Sequence, residues 1–174
     1  MLGLDLGRAG KTVEVRLSFE EGLAAATQGV TQMMRAIRSG KVGFDHGGAS
    51  GRAVRERWAQ AIQGQMAEHA YCKALGHYPF ASVDGINGDD PGGVAIRSTP
   101  WSPSTAHLIV NKDELPACEG KPFVLVCGHW PVFVVAGWIL GRDAGRDEWY
   151  KPNERPPSWW VPAKNLLPMS ELRR

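Results

Sequence analysis

Residues 123–140 read FVLVCGHWPVFVVAGWIL and contain the longest apolar stretch of the chain. Two runs rich in β-branched and other apolar residues, Phe123 to Cys127 and Val132 to Leu140, are typical of buried strands. Between them, His129-Trp130-Pro131 has the composition of a turn. The stretch therefore predicts a hairpin-like pair of strands at the centre of a sheet.

Three more strands are expected before this hairpin, at Phe80 to Val83, Val94 to Thr99 and Ala106 to Asn111. Two helices are expected before those strands, from Glu20 to Arg38 and from about Gly51 to Leu75. The order of elements predicts an α/β (α+β) fold in which helices flank a central, mixed, mostly antiparallel five-stranded sheet.

One domain is expected, because 174 residues with 43% apolar and 22% charged residues are ordinary for a single globular unit. Residues 1–48 would supply an N-terminal strand (Thr12 to Phe19) and helix, and residues 49–149 the core, with a short helix near Asp143 to Trp149. Residues 150–174 form a tail rich in Pro and Trp. Its Trp159-Trp160-Val161 would be costly to leave in water, so the extended tail should pack on the core.

The cellular setting is expected to be the cytoplasm, without a membrane partner. No apolar run is long enough to span a bilayer, and residues 1–11 lack the apolar segment of a signal peptide. The three cysteines, Cys72, Cys118 and Cys127, form no disulfide framework, which favours reduced thiols.

The net charge of +2 gives no global basic field, but its distribution is uneven. Basic residues are in excess between positions 35 and 57, where a phosphate backbone could bind. These residues are Arg35, Arg38, Lys41, Arg52, Arg55 and Arg57. A solvated helix face with its loop is the alternative, and taken alone it is the better explanation.

The stretch of residues 89–99, DDPGGVAIRST, carries the most chemical information. A pair of aspartates lies in a Gly-rich turn directly before a predicted strand. In that strand Val94 and Ile96 share one face, and Ala95 and Arg97 share the other. Asp90 at the strand entrance and Arg97 within the strand can therefore converge on one site.

This stretch resembles the metal-binding core of the PD-(D/E)XK, or restriction-endonuclease-like, nuclease superfamily. Asp90-Pro91-Gly92 matches the aspartate turn of a subgroup, and Arg97-Ser98-Thr99 matches its basic end. Gly64 to Glu68 matches an upstream Gly-x-x-x-Glu helix segment. The resemblance covers roughly residues 52–140. Ala95, however, stands where the family has an acid or an amide.

The resemblance implies a nuclease of phage or bacterial type with a restriction-endonuclease-like core. Mg²⁺ or Mn²⁺ would be held by Glu68, Asp90, the side chain at position 95 and the backbone carbonyl of Ile96, since such ions lower the pKa of a bound water. Arg97 would orient the nucleophile, although a guanidinium cannot serve as a general base.

The partner implied by the resemblance is nucleic acid, DNA in preference to RNA. The expected contacts come from Arg52, Arg55, Arg57, Ser98 and Thr99. A homodimer is a further expectation from the family, although the sequence shows no dimerisation signature.

Three explanations of Ala95 stay open: an engineered replacement, a naturally inactive lineage, or substitution by Asp84 or Asp89. Simpler interpretations also stay open, because the aspartates suit any turn and Arg97 could pair with an acid across the sheet. The function is therefore a metal-dependent nuclease impaired by Ala95, a non-catalytic nucleic-acid- or protein-binding module, or a structural or inhibitory protein.

Overall fold

The computed structural model describes residues 12–39, 54–77, 93–154 and 156–172. The strands are β1 (Val13–Arg16), β2 (Ala95–Thr99), β3 (His107–Asn111), β4 (Pro122–His129), β5 (Val132–Leu140), β6 (Tyr150–Lys151) and β7 (Ser158–Pro162). The helices are α1 (Phe19–Arg38), α2 (Val54–Ala74), α3 (Leu115–Cys118) and α4 (Gly141–Ala144), and Asp147–Trp149, Ala163–Asn165 and Met169–Glu171 form 3₁₀ turns.

The predicted hairpin is confirmed as β4 and β5, which pair antiparallel along their full lengths. The turn contains a cis peptide bond between Trp130 and Pro131. The register shifts between Leu125 and Val126, so that the β5 strand has one extra residue at Ala136. Gly137 follows with a φ of 141°, a backbone conformation that side-chain-bearing residues rarely adopt.

This hairpin is the centre of a four-stranded sheet with the order β1-β5-β4-β2. β1 pairs antiparallel with β5, and β2 pairs parallel with β4. Ala95 lies opposite Phe123 in that parallel pair, and Thr99 lies opposite Cys127. Among the described strands, β2 is therefore an edge of this sheet.

The two long helices agree closely with the predicted ranges, and residues 51–53 lie outside the described chain. α1 begins at a capping box, in which the Ser18 hydroxyl accepts from the backbone N–H of Glu21 while the Glu21 carboxylate accepts from the backbone N–H of Ser18. Gly29 of α1 faces the backbone of Ile62, where an added Cβ would come within 2.6 Å of the Ile62 Cα. The two helices consequently pack backbone against backbone.

The prediction of one five-stranded sheet is wrong, because the described residues form two sheets of four and three strands. β3 does not join the hairpin but pairs antiparallel with β7, and β7 in turn pairs with β6. The Trp159-Trp160-Val161 tail packs back as predicted, but as the central strand of this second sheet. The predicted strand from Phe80 to Val83 lies outside the described residues. Mixed and mostly antiparallel pairing is confirmed.

Smaller elements also differ from their predictions. The single short helix expected near Asp143 to Trp149 is instead α4 followed by a 3₁₀ turn at Asp147–Trp149. α3 lies between β3 and β4, where no helix or strand was predicted. Pro116 lies in the first turn of α3, where proline is tolerated because the N–H that it lacks would have no partner within the helix.

Each face of the four-stranded sheet carries its own apolar cluster. On one face, Val124, Val126 and Phe133 pack with Ala70 and Tyr71 of α2. On the other face, Phe123, Leu125 and Ala136 pack with Leu108 of β3 and Val161 of β7. The order of layers is therefore α1, α2, the four-stranded sheet and the three-stranded sheet.

Across the described ranges, none of the helices is both long enough and apolar enough to cross a membrane.

Candidate functional site

A groove of about 690 Å³ opens where the β2 edge of the larger sheet meets the β3 edge of the smaller one. Its walls come from four strands and from the loop between β2 and β3. The lining residues are Arg97, Ser98, Thr99, Trp101, Thr105, His107, Ile109, Asn111, Leu125 and Trp160. Three of the predicted site residues, Arg97, Ser98 and Thr99, thus share one groove.

Arg97 is held in place by three contacts. Its Nη2 donates to Glu114 Oε2 at 2.7 Å, and its Nη1 donates to the backbone carbonyl of Ile96 at 3.3 Å. The guanidinium also lies over the Phe123 ring, with 5.2 Å between its central carbon and the ring centroid. Arg97 thus pairs with an acid, although Glu114 lies in the turn before α3 and not across the sheet, and the guanidinium in the groove is oriented.

Glu114 is a further residue of this region and was not among the predicted site residues. Besides Arg97, its carboxylate accepts from Asn111 Nδ2 at 3.2 Å, and Asn111 Oδ1 accepts from the Ser158 hydroxyl at 3.2 Å. Asn111 is followed by a polar turn up to Glu114, and that Asn-x-x-Glu spacing was the only sequence signal for the contact. The network links β2, β3 and β7 at one end of the groove.

Flat rings form much of the groove wall. Trp101 is 67% exposed, in the loop after β2. The rings of His107 and Trp160 lie side by side on neighbouring strands, with centroids 6.0 Å apart. The indole nitrogen of Trp160 is buried and finds no hydrogen-bond acceptor within the described part of the chain.

Ala95 is buried in the apolar cluster between the two sheets. Its side chain leaves β2 on the same face as that of Arg97, as the strand period predicts. Val94 and Ile96 belong to the opposite cluster, beneath α2. A longer side chain at position 95 would therefore point toward the small sheet.

Glu68 lies on α2 and accepts a hydrogen bond from Gln65 Nε2 at 2.7 Å. Because α2 covers the Val94 and Ile96 face of the sheet, Glu68 and the side chain at position 95 start from opposite faces of β2. Asp90, with Asp84 and Asp89, lies outside the described residues. The predicted convergence of Glu68, Asp90 and position 95 stays a prediction.

The described residues do not by themselves form a Mg²⁺ or Mn²⁺ site. No cluster of three or more His, Cys, Asp or Glu side chains with metal-binding geometry occurs among residues 12–39, 54–77, 93–154 and 156–172. Ala95 has no ligand atom, and the Ile96 carbonyl already faces the Arg97 guanidinium at 3.3 Å. A cation beside that carbonyl opposes the approach of a second one.

Among the predicted basic contacts on α2, the structure describes only the side chain of Arg57. Arg57 is half-buried on α2 and does not line the groove. Arg52 and the side chain of Arg55 lie outside the described residues. Of these three arginines, only Arg57 can therefore be placed, and it lies on a different layer from the groove.

Polar groups between α1 and α2 stabilise the helix pair. Lys73 Nζ lies 2.6 Å from Glu21 Oε2, and His69 Nε2 lies 2.8 Å from Gln28 Oε1. Burial lowers the pKa of His69, against a smaller opposing effect of Glu21. Burial also raises the pKa of Cys72 and of Cys127 to about 11, so both thiols stay protonated at neutral pH.

Comparisons of this chain with protein-family models, with curated proteins and with solved structures gave no significant match.

Proposed function

We propose that this protein binds nucleic acid, DNA in preference to RNA, in the groove between β2 and β3. We further propose that it is built on the plan of a metal-dependent nuclease, and that Ala95 leaves it inactive or impaired in cleavage. One observation carries the binding proposal: the Arg97-Ser98-Thr99 segment lines the same groove as Trp101, His107 and Trp160.

The chemistry of the walls suits an unpaired nucleic-acid strand. Exposed aromatic rings stack on bases of any sequence, and each stacked base contributes about 1–3 kcal/mol. Among the described lining residues, Arg97 supplies a guanidinium that can donate to an anionic group, although Glu114 pairs with it.

The ion pair between Arg97 and Glu114 determines which interactions would contribute most to the binding affinity. It fixes the guanidinium but neutralises much of its charge, so affinity would come mainly from stacking and hydrogen bonds. Salt dependence should accordingly be shallow, with a slope of about −0.7 for each phosphate contact on a single strand. Double-stranded DNA should bind more weakly, since its bases are already stacked.

The test is fluorescence anisotropy with labelled single-stranded and duplex oligonucleotides of DNA and RNA, in EDTA. Trp101→Ala should weaken single-strand binding about five- to hundredfold, the equivalent of one lost stack. Phe19→Ala is the matched control, because Phe19 is 66% exposed but lies on α1, away from the groove. Binding that is absent, or equal in Trp101→Ala and Phe19→Ala, would contradict the proposal.

The nuclease part of the proposal has its own experiment. Ala95→Glu and Ala95→Gln would restore an oxygen at position 95, and cleavage in Mg²⁺ or Mn²⁺ should appear. Asp90→Asn in the Ala95→Glu background should abolish that activity. Thermal melts are needed alongside, because a carboxylate at this buried position costs stability. Folded variants that cleave neither DNA nor RNA would remove the nuclease part and leave the binding part standing.

A further inference from the structure

An apolar stripe runs along the outer side of α1. Phe19, Leu23, Met34 and Ile37 are 66%, 56%, 60% and 45% exposed. At about 100° per residue, all four lie within one narrow sector of the helix, and the half-buried Ala26 and Val30 fill the space between them. We call these six residues the α1 stripe.

The α1 stripe is distinct from the face that α1 presents to α2. The buried face of α1 consists of small and apolar residues, of which Gly29 faces Ile62 of α2 and Gly22 faces Trp130 of the β4–β5 turn; the others are Ala25, Met33 and Ala36. The stripe lies roughly a quarter turn away from it, and extends about 27 Å from Phe19 to Ile37. A continuous apolar row of this length usually marks an interaction surface, whereas single exposed apolar residues are normal.

We propose that the α1 stripe is a self-association surface, on which α1 of a second copy of this chain packs antiparallel. The spacing of the stripe is almost the same read in either direction. A two-fold axis midway along it would place Phe19 opposite Ile37, Leu23 opposite Met34, and Ala26 opposite Val30 of the second copy. Such self-complementarity is what a symmetric dimer interface requires.

The charges on α1 select the antiparallel orientation. The first turn carries Glu20 and Glu21, and the last turn carries Arg35 and Arg38. Arg38 follows Glu20 by about five helical turns, so both lie on the same flank of the stripe. In an antiparallel pair that flank meets its own symmetry copy, which brings Glu20 beside Arg38 of the second copy. In a parallel pair that flank would instead meet the opposite, uncharged flank of the second copy, and the contact between Glu20 and Arg38 would be lost.

This proposal is independent of the proposed function. The α1 stripe lies on the outermost helix layer, two layers away from the groove between the sheets. A ligand can therefore bind in the groove whether or not the chain is a dimer.

Sedimentation equilibrium of the full chain, without nucleic acid, tests the proposal. The wild type should be a dimer, and Leu23→Glu and Met34→Glu should each yield a folded monomer by circular dichroism. Ala24→Glu is the matched control, since Ala24 is an exposed alanine of α1 outside the stripe. Ala24→Glu should remain dimeric.

A charge swap then tests the orientation. Glu20→Arg and Arg38→Glu should each weaken the dimer about two- to thirtyfold, because each substitution removes both symmetry-related ion pairs. The double variant should recover the wild-type dissociation constant. Weakening that the double variant does not relieve would contradict the antiparallel arrangement.

Three results would overturn the proposal. The first is a monomer at every concentration measured. The second is a dimer that Trp101→Glu dissociates and Leu23→Glu does not, which would place the interface at the groove. The third is a monomer that dimerises only after removal of residues 1–11, which would make that segment, with its Leu2, Leu4 and Leu6, the occupant of the stripe.

Discussion

The two faces of the four-stranded sheet are covered in different ways. A long helix, α2, spans one face, and Val124, Val126, Phe133 and Val135 beneath it are fully buried. A small three-stranded sheet covers the other face and ends before the β2 edge does. The groove lined by Arg97 and the aromatic rings opens there. A candidate site therefore arises where a cover is incomplete, whereas the fully covered face is purely structural.

The largest expected difference between the two regions is in stability. Phe133→Ala on the helix-covered face should lower the free energy of unfolding by about 3–5 kcal/mol, through lost burial and a residual cavity. Ile109→Ala in the groove should cost less than about 1 kcal/mol, because Ile109 is already 36% exposed. Urea denaturation of both variants measures the contrast. Equal losses would contradict the distinction between a closed face and an open one.

The next largest effect on stability is expected where α1 and α2 pack closely against each other. Gly29→Ala should destabilise the protein by about 1–3 kcal/mol, since the new Cβ would come within 2.6 Å of the Ile62 backbone. Gly64→Ala on α2 is the matched control, because an added Cβ there meets no atom within 4 Å. It should stabilise the protein by about 0.5–1 kcal/mol through helix propensity. Thermal unfolding that gives both changes the same sign would contradict this packing.

A smaller effect is expected in the groove itself, at the ion pair between Arg97 and Glu114. Both side chains are about one-third exposed, so the pair should contribute about 0.2–1 kcal/mol of coupling. A double-mutant cycle with Arg97→Gln and Glu114→Gln measures that coupling by chemical denaturation. Arg142→Gln provides the control on an exposed arginine elsewhere. A coupling near zero would mean that the pair does not hold Arg97.

The smallest effect concerns the pH dependence of stability that arises from His69, between α1 and α2. Because burial lowers the pKa of His69 in the folded protein from 6.5, the unfolded chain binds the proton more readily. The contribution of neutral His69 to the free energy of unfolding is thus fully present above pH 6.5. It is lost as the pH falls toward the lowered pKa of His69 in the folded protein. His69→Gln, which keeps a partner for Gln28, should flatten the dependence of unfolding free energy on pH in that window. An unchanged profile would contradict the assignment.

Much of the fold could be predicted because local periodicity determines it. The apolar run of residues 132–140 gave the bounds of β5, and capping and spacing gave both long helices within a few residues. Periodicity tells which face of β3 is buried but not which strand it pairs with. The alternation of Leu108 and Val110 was therefore compatible with a place in either sheet, and the pairing of β3 with β7 was not predicted.

The candidate site could be predicted only in part. The strand period correctly put Ala95 and Arg97 on the same face, opposite Ile96. The groove, however, is also lined by Trp160 of β7, and Arg97 is held by Glu114, which lies after β3. Contacts between residues so far apart in sequence have no local signal, whereas the Asp90 turn and the Glu68 helix segment do.

The pairing of β3 with β7 also has a consequence for biosynthesis. β3 ends at Asn111 and β7 begins at Ser158, and the whole β4–β5 hairpin is translated between them. One apolar face of that hairpin packs against the small sheet. On the ribosome, this face therefore stays exposed until Trp159 to Val161 leave the exit tunnel. A stall between these points would present an unfinished sheet to chaperones, and the groove would be among the last features of the molecule to form.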